Sequence, residues 1–421
     1  MTPLRIAMLT TFYPPYSFGG DALGVQRLSA ALGRRGHDVT VVHDLDAYNA
    51  LAPKRRPTTA PAQDGVRVIS LHSPLGVTST YLTHQLGYPV VQRRRLQKIL
   101  DDGAFDVIWF HNISLLGGPG LLTQGDALKV YEAHEHWLIC PTHTLWRHNR
   151  ETCTARQCLR CVFHHRRPPQ LWRYTNALPR KLRRIDAFIA KSEFSRSKHK
   201  EFGFSGDMDV VPYFLPEQEP TIHEVDRQPH ERPYFLFVGR LERIKGLDEI
   251  IPAFQSYTDA DLLVAGDGGY GDTLRRQSAD IAGVKFLGHV APDRLHRYYR
   301  DAIALIVPSV CFETFGIILI EAFRNGTPVI ARHIGPFPEI IERCGGGALF
   351  SNQRQLVSMM KQMQHDTQYR DSLALAARAG FERQWSESVV IKQYLSTLQR
   401  AANRTGRRSL ATALGTAQEM E

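Results

Sequence analysis

Short apolar, β-branched runs alternate with stretches of helical period along the whole chain. In the first half the runs predict strands at Arg5–Leu9, Asp38–Val42, Val66–Ser70, Asp106–Phe110, Lys129–Ala133, Ala187–Ala190 and Asp209–Pro212. The second half repeats the rhythm at Tyr234–Gly239, Asp261–Ala265, Val284–Leu287, Ile303–Val307 and Pro328–Ala331. Such alternation is the pattern of parallel α/β sheets, and its recurrence predicts two doubly wound domains. Between them LPEQEPTIHEVDRQPHERP is rich in Pro and charge and poor in apolar residues, which marks residues 216–232 as a linker. The expected domains are therefore 1–215 and 233–385, and the small, polar residues 404–421 read as a disordered tail. Doubly wound domains bind ligand beyond the carboxyl ends of their strands, so the candidate chemistry is sought there.

Length agrees with this division, because 421 residues exceed one ordinary core. The start, MTPLRIAML, enters a strand at once, and no run of about 18 apolar residues occurs. A cytoplasmic protein is the expectation, with contact at the inner face of the cell membrane as an added option. That option comes from charge. The net charge is +10, and residues 147–200 hold fifteen Lys or Arg against Glu151, Asp186 and Glu193. A patch of this kind suits anionic lipid, a phosphorylated acceptor or nucleic acid, unless it is only a solvated helical face.

The stretch CFETFGIILIEAF, residues 311–323, places Glu313 before a buried helix that begins near Gly316 and Glu321 inside it. Eight helical residues would rise about 12 Å, whereas two carboxylates that cleave one glycosidic bond stand about 5–9 Å apart. The two acids are therefore read as holding opposite ends of one ligand. In GRLERIKGLDEI, Gly239 ends a strand and Arg240 and Lys245 follow within six residues. A fork and a point charge at a strand's carboxyl end suit a diphosphate. AGDGGYGD puts Asp267 at the tip of a Gly-rich turn, and VKFLGHV puts Val290 just past another strand. The amides of Phe315, Gly316 and Ile317 open the helix, a place suited to phosphate.

In this order GRLERIKG, AGDG, FLGHV, ETFGIILIE and NGTPVIA followed by GPFPEII resemble the donor domain of family 4 glycosyltransferases, which have the GT-B fold. The resemblance implies two Rossmann-like domains facing across a cleft and a retaining transfer of a hexosyl unit from a nucleotide-diphosphate sugar. By position, Arg240 and Lys245 would grip the diphosphate, Glu313 the sugar hydroxyls and Glu321 the ribose, while the backbone around Val290 would read the base. A UDP- or GDP-sugar donor and a sugar or polyol acceptor, free or lipid-linked, follow from the same likeness. No cofactor is required for catalysis on this reading, because cations and amides supply the charge. TTFYPPYSFGGDALGVQRLSAALGRRGHDVTVV resembles the family's first strand, glycine loop and helix, with Gly19 and Gly20 letting backbone approach the ligand. VYEAHEHWLICP carries His134 where the family has a histidine near the sugar, although the usual His-Asp pair is His134–Glu135 here. FERQWSESVVIKQYL resembles the terminal helix, residues 386–403, that crosses back to the first domain.

The insertion near 140–165 is not covered by that likeness. Cys140, Cys153, Cys158 and Cys161 fall within 22 residues, and closely spaced thiolates can converge on tetrahedral zinc. Structural zinc leads, followed by reduced or redox-active thiols and then by an iron–sulfur site; His143, His148, His164 and His165 would permit mixed ligation. A GT-B epimerase or phosphorylase is the alternative enzyme. A basic nucleic-acid-binding module on a degenerate transferase fold is the alternative of another class, and the intact donor-site acids and cations speak against nucleic acid.

Overall fold

The apolar runs fold into two separate parallel sheets in a computed structural model that describes residues 3–52, 65–216 and 229–419. Most of the expected linker, residues 217–228, lies outside the described residues. The chain divides into one unit of Met1–Asn149, Thr154–Phe214 and Glu387–Glu421, and a second of Arg150–Cys153 and Leu215–Ser386.

The first unit holds β1 (Arg5–Leu9), β2 (Asp38–Asp44), β3 (Val66–Leu71), β4 (Val107–Phe110) and β5 (Leu128–Ala133). Two short strands of the insertion follow, β6 (Trp146–Arg147) and β7 (Glu151–Thr152), the latter lying in the 150–153 stretch that groups with the second unit. Then come β8 (Ala187–Ala190) and β9 (Met208–Val210). The main sheet runs β3-β2-β1-β4-β5-β8-β9, every pair parallel. Its central strands are covered on both faces, so VIWF and LKVYEA are buried at every position. The strand order reverses between β1 and β4, and the helix Gly20–Arg34 starts beyond β1 on that side.

The helix Glu387–Arg404 belongs to this first unit, where Val390, Ile391, Tyr394 and Leu398 join the core of Ile6, Met8, Trp109 and Val130. Arg34 and Arg35 both reach the buried Glu387 carboxylate at 2.6 Å and fix the helix start. Residues 404–421, expected to be disordered, contain instead a helix over Arg408–Glu419. Leu410, Ala411, Leu414 and Ala417 recur at helical spacing and are buried; small and polar residues between them mask that period in composition.

The second unit holds β10 (Tyr234–Val238), β11 (Asp261–Ala265), β12 (Val284–Gly288), β13 (Leu305–Val307), β14 (Val329–Arg332) and β15 (Gly347–Phe350). They form a parallel sheet in the order β12-β11-β10-β13-β14-β15. The edge strand β15 is absent from the expected set, because GGGALF shows three glycines before a short apolar run. Packing supplies the reason for one of them: a Cβ on Gly347 would lie 2.4 Å from the Val329 carbonyl oxygen. The order reverses between β10 and β13, so the loops after these two strands open the crevice of this unit.

Candidate active site

Lys245 and Glu313 meet at the β10/β13 reversal. Lys245 sits on the turn Arg243–Lys245, and its Nζ donates to Glu313 Oε1 at 2.7 Å. The Ser309 hydroxyl, past β13, donates to the same oxygen at 2.6 Å. Gly246 closes this turn at φ +67°, and a Cβ there would lie 2.2 Å from the Pro308 carbonyl oxygen, so only glycine lets the two loops approach. The Val310 amide donates to the Ile244 carbonyl at 2.9 Å and ties the loops together. Burial alone would raise Glu313, but Lys245 and then the Ser309 bond hold its carboxyl below the usual range. The lysine is raised in turn, since Glu313 outweighs its own desolvation. Both side chains keep contact with solvent, 21% and 16% exposed, so a ligand can reach them.

The remaining predicted residues of this unit occupy the same strand ends. Gly239 follows β10, and Arg240 is exposed, with its guanidinium 2.7 Å from Glu242. Asp267 follows β11 in the exposed glycine turn and faces Arg275 at 3.7 Å; its carbonyl accepts the Leu241 amide at 3.0 Å. Val290 lies two residues past β12 and is half-buried. Phe315 is buried, and Gly316 caps the helix Ile317–Arg324 at φ +125°, where a Cβ would meet the Phe337 ring at 2.9 Å. No side chain caps that helix start, and of its first-turn amides Leu319's turns back to the Gly316 carbonyl at 3.0 Å. Glu321 stands within the helix and accepts from the Tyr299 hydroxyl at 3.2 Å. The four residues from Glu313 to Gly316 are not helical, so the two acids are not separated by two full helical turns.

In the first unit Gly19 caps the helix Gly20–Arg34, Gly20 is exposed, and Asp21 in the first turn accepts from Asn112 at 3.3 Å. His134 lies elsewhere than on an open rim. Its ring is buried, with Nε2 2.9 Å from His111 Nδ1 and Nδ1 2.6 Å from the Tyr213 hydroxyl. Beside it, the Glu132 carboxylate on β5 pairs with Lys191 just past β8, and the Tyr394 hydroxyl donates to Glu132 at 2.7 Å. Burial opposes the charge on Glu132, but Lys191 holds it well below the usual range. Desolvation keeps His134 and His111 neutral by pushing both down, His111 to about 4.

Sequence reasoning did not find this network. Its signal was a charged residue at the end of each of two apolar strands, EA and IAK, but their pairing across 59 positions is a fact of the sheet order. Lys191 was counted in the basic segment; it is wholly buried and contributes nothing to a surface patch.

The four cysteines are free thiols. Cys140 Sγ lies 3.3 Å from the Thr142 hydroxyl, while Cys161 Sγ accepts from the His148 amide at 3.2 Å and donates to the Trp146 carbonyl. Burial first, and the Cys140 thiol next, raise Cys158. Among the described residues no three of these sulfurs lie within 4.8 Å of one another, and Cys153 groups with the second unit. The group that does converge to that distance is His111, Glu132 and His134. Lys191 already neutralises its carboxylate.

Two parallel doubly wound units, with a lysine–glutamate pair at the reversal of the second, have the architecture of the GT-B type. Comparison with known proteins agrees. The model for "Glycosyltransferase Family 4" matches residues 18–218, and that for "Glycosyl transferases group 1" matches residues 218–380. The chain belongs to glycosyltransferase family 4. It is 25% identical to a glycogen synthase of Mycobacterium tuberculosis over 80% of each chain. A sucrose-phosphate synthase of Thermosynechococcus elongatus shares the fold at TM-score 0.71 and 17% identity, covering 94% of this chain and 99% of that one. The HepE protein of Anabaena, solved with UDP-glucose, superposes at TM-score 0.66 with 19% identity, over 94% and 100% of the two chains.

Proposed function

We propose that this glycosyltransferase takes a hexosyl unit from a nucleotide-diphosphate sugar and passes it to an acceptor hydroxyl with retention at the anomeric carbon. The observation that carries the reading is the solvent-reachable Lys245–Glu313 pair at the β10/β13 reversal, beside the uncapped helix start at Gly316. Lys245, Arg240 and the helix amides would hold the diphosphate and stabilise the charge that develops as it leaves. Glu313, kept ionised by Lys245 and Ser309, would accept hydrogen bonds from donor-sugar hydroxyls. Glu321, oriented by Tyr299, would take the ribose hydroxyls, and backbone near Val290 would meet the base. Preorganised cations and amides supply the charge that a metal would otherwise bring, so no metal is assigned to the diphosphate.

HepE is recorded with UDP-glucose, which supports a UDP-sugar as the first donor to try. The basic segment 147–200 would bring the enzyme to an anionic membrane surface, where a lipid-linked acceptor is one option. A panel of UDP-, GDP- and ADP-sugars tests the donor reading by thermal stabilisation and slow hydrolysis. A true donor at a hundred times its Kd adds about 2.7 kcal/mol of stability. If no member of the panel shifts unfolding or is hydrolysed, the donor assignment falls; an inverted anomeric product would reject retention.

A further inference from the structure

A cavity lies in the first unit, apart from the residues assigned to the donor. It has a volume of 1130 Å³ and is bounded wholly by residues 138–141 and 156–206. Its floor is apolar, formed by side chains such as Leu178, Ile185, Phe188 and Phe204. Its charged lining is of one sign: Arg156, Arg160, Arg173 and Arg183, with no carboxylate among the lining residues.

Arg173 is the most informative of these. Its guanidinium lies over the Trp172 and Trp137 rings at 4.6 and 5.2 Å, and it donates to Gln170 Oε1 and, at 2.8 Å, to the Trp137 carbonyl. Among the described residues no carboxylate oxygen lies within 4.0 Å of it. A cation packed on two indoles with no carboxylate in contact, Glu135 acting on it only from a distance, favours an anion in the cavity. Burial pushes this group down to about 10, in keeping with that environment.

The mouth carries the second observation. Leu159 and Tyr174 line the cavity and are 48% and 57% exposed, while Phe163 and Leu171, on the same helix and the same turn, are 60% and 65% exposed. Two large exposed side chains lining a cationic cavity, with two more on the same helix and turn, are matched by a ligand with an anionic head and an apolar body. A free anion such as inorganic phosphate would satisfy the arginines and leave that rim wet.

We propose that this cavity seats the phosphate head and the proximal chain of an anionic lipid that remains in the bilayer, so that the insertion is the membrane-docking element of the first unit. The inference deepens the proposed membrane contact of the basic segment and is independent of the donor chemistry.

The test is cosedimentation of the full chain with phosphatidylcholine vesicles, with and without 30% phosphatidylglycerol, at about 150 mM salt, where screening reaches beyond about 8 Å. Wild type should bind the anionic vesicles at least tenfold more strongly than the neutral ones. Leu159→Asp combined with Tyr174→Asp, both exposed and so tolerated by the fold, should lower that binding tenfold or more with an unchanged thermal midpoint. Arg160→Ala combined with Arg183→Ala should do the same. Inorganic phosphate at 10 mM should compete no better than chloride of equal ionic strength. Wild-type binding by the rim variant would overturn the cavity and leave only diffuse docking by the basic segment. Full displacement by inorganic phosphate, or equal binding to neutral vesicles, would overturn the lipid. No binding to anionic vesicles even at low salt would remove the membrane contact as well.

Discussion

Each unit places a lysine–glutamate pair at the carboxyl ends of its strands, and the two pairs live in opposite surroundings. Glu132 and Lys191 are 1% and 0% exposed, tied to Tyr394 and flanked by two neutral histidines. Lys245 and Glu313 keep part of their surface in water, and a serine is the added partner. In the first case Lys191 and the Tyr394 hydroxyl both serve one oxygen of the buried carboxylate, and no water is needed to neutralise the pair, so it fixes a core. In the second, desolvation is incomplete and the bonds can be exchanged for those of a ligand. Similar residues at similar sheet positions are thus closed off in one unit and open to exchange in the other.

Acid should separate the two units most strongly. His43, His111 and His199 of the first unit are buried and held at about 4 by desolvation. The unfolded chain binds these protons near pH 6.5, so stability falls as pH drops from 6.5 toward 4, by about 3 kcal/mol per histidine between pH 7 and 4. Asp44 runs the other way: burial lifts it to about 7, and its protonation returns about 3 kcal/mol over the same window. These three histidines less Asp44 give a loss of roughly 6 kcal/mol, and His134 and His84, also pushed down by burial, add to it. Denaturant titrations at pH 7, 5.5 and 4.5 measure it; a flat dependence would mean these histidines are charged or exposed.

Cutting one partner from each pair sharpens the contrast. Lys191→Ala strands a buried carboxylate and should cost about 3–5 kcal/mol of stability. Lys245→Ala should cost less than about 1 kcal/mol, being partly solvated, yet lower turnover at least ~10²-fold through the lost charge on the leaving group. Equilibrium unfolding and initial rates on both variants decide. Equal stability losses, or near wild-type turnover for Lys245→Ala, would erase the distinction. Glu321→Ala should leave the fold intact and weaken free-nucleotide binding by about 1.5–3 kcal/mol. Calorimetry showing unchanged affinity would place that acid away from the ribose.

The sequence by itself determined two parallel α/β units, most of their strands and the run of candidate residues at the strand ends of the second, because these are local patterns. A strand's apolar run, a glycine at its end and a cation or acid just beyond it all lie within a dozen positions. It did not determine the helix Arg408–Glu419, whose apolar repeat is spelled half in alanine, nor β15, whose Gly347 makes sense only beside the Val329 carbonyl. Tertiary structure alone decided that Lys245 meets Glu313 across 68 positions and Lys191 meets Glu132 across 59. It also decided that His134 is buried with both ring nitrogens bonded and that no three of the clustered cysteine sulfurs converge. Burial and partner choice depend on which strands become neighbours, and identical side chains then take on different work.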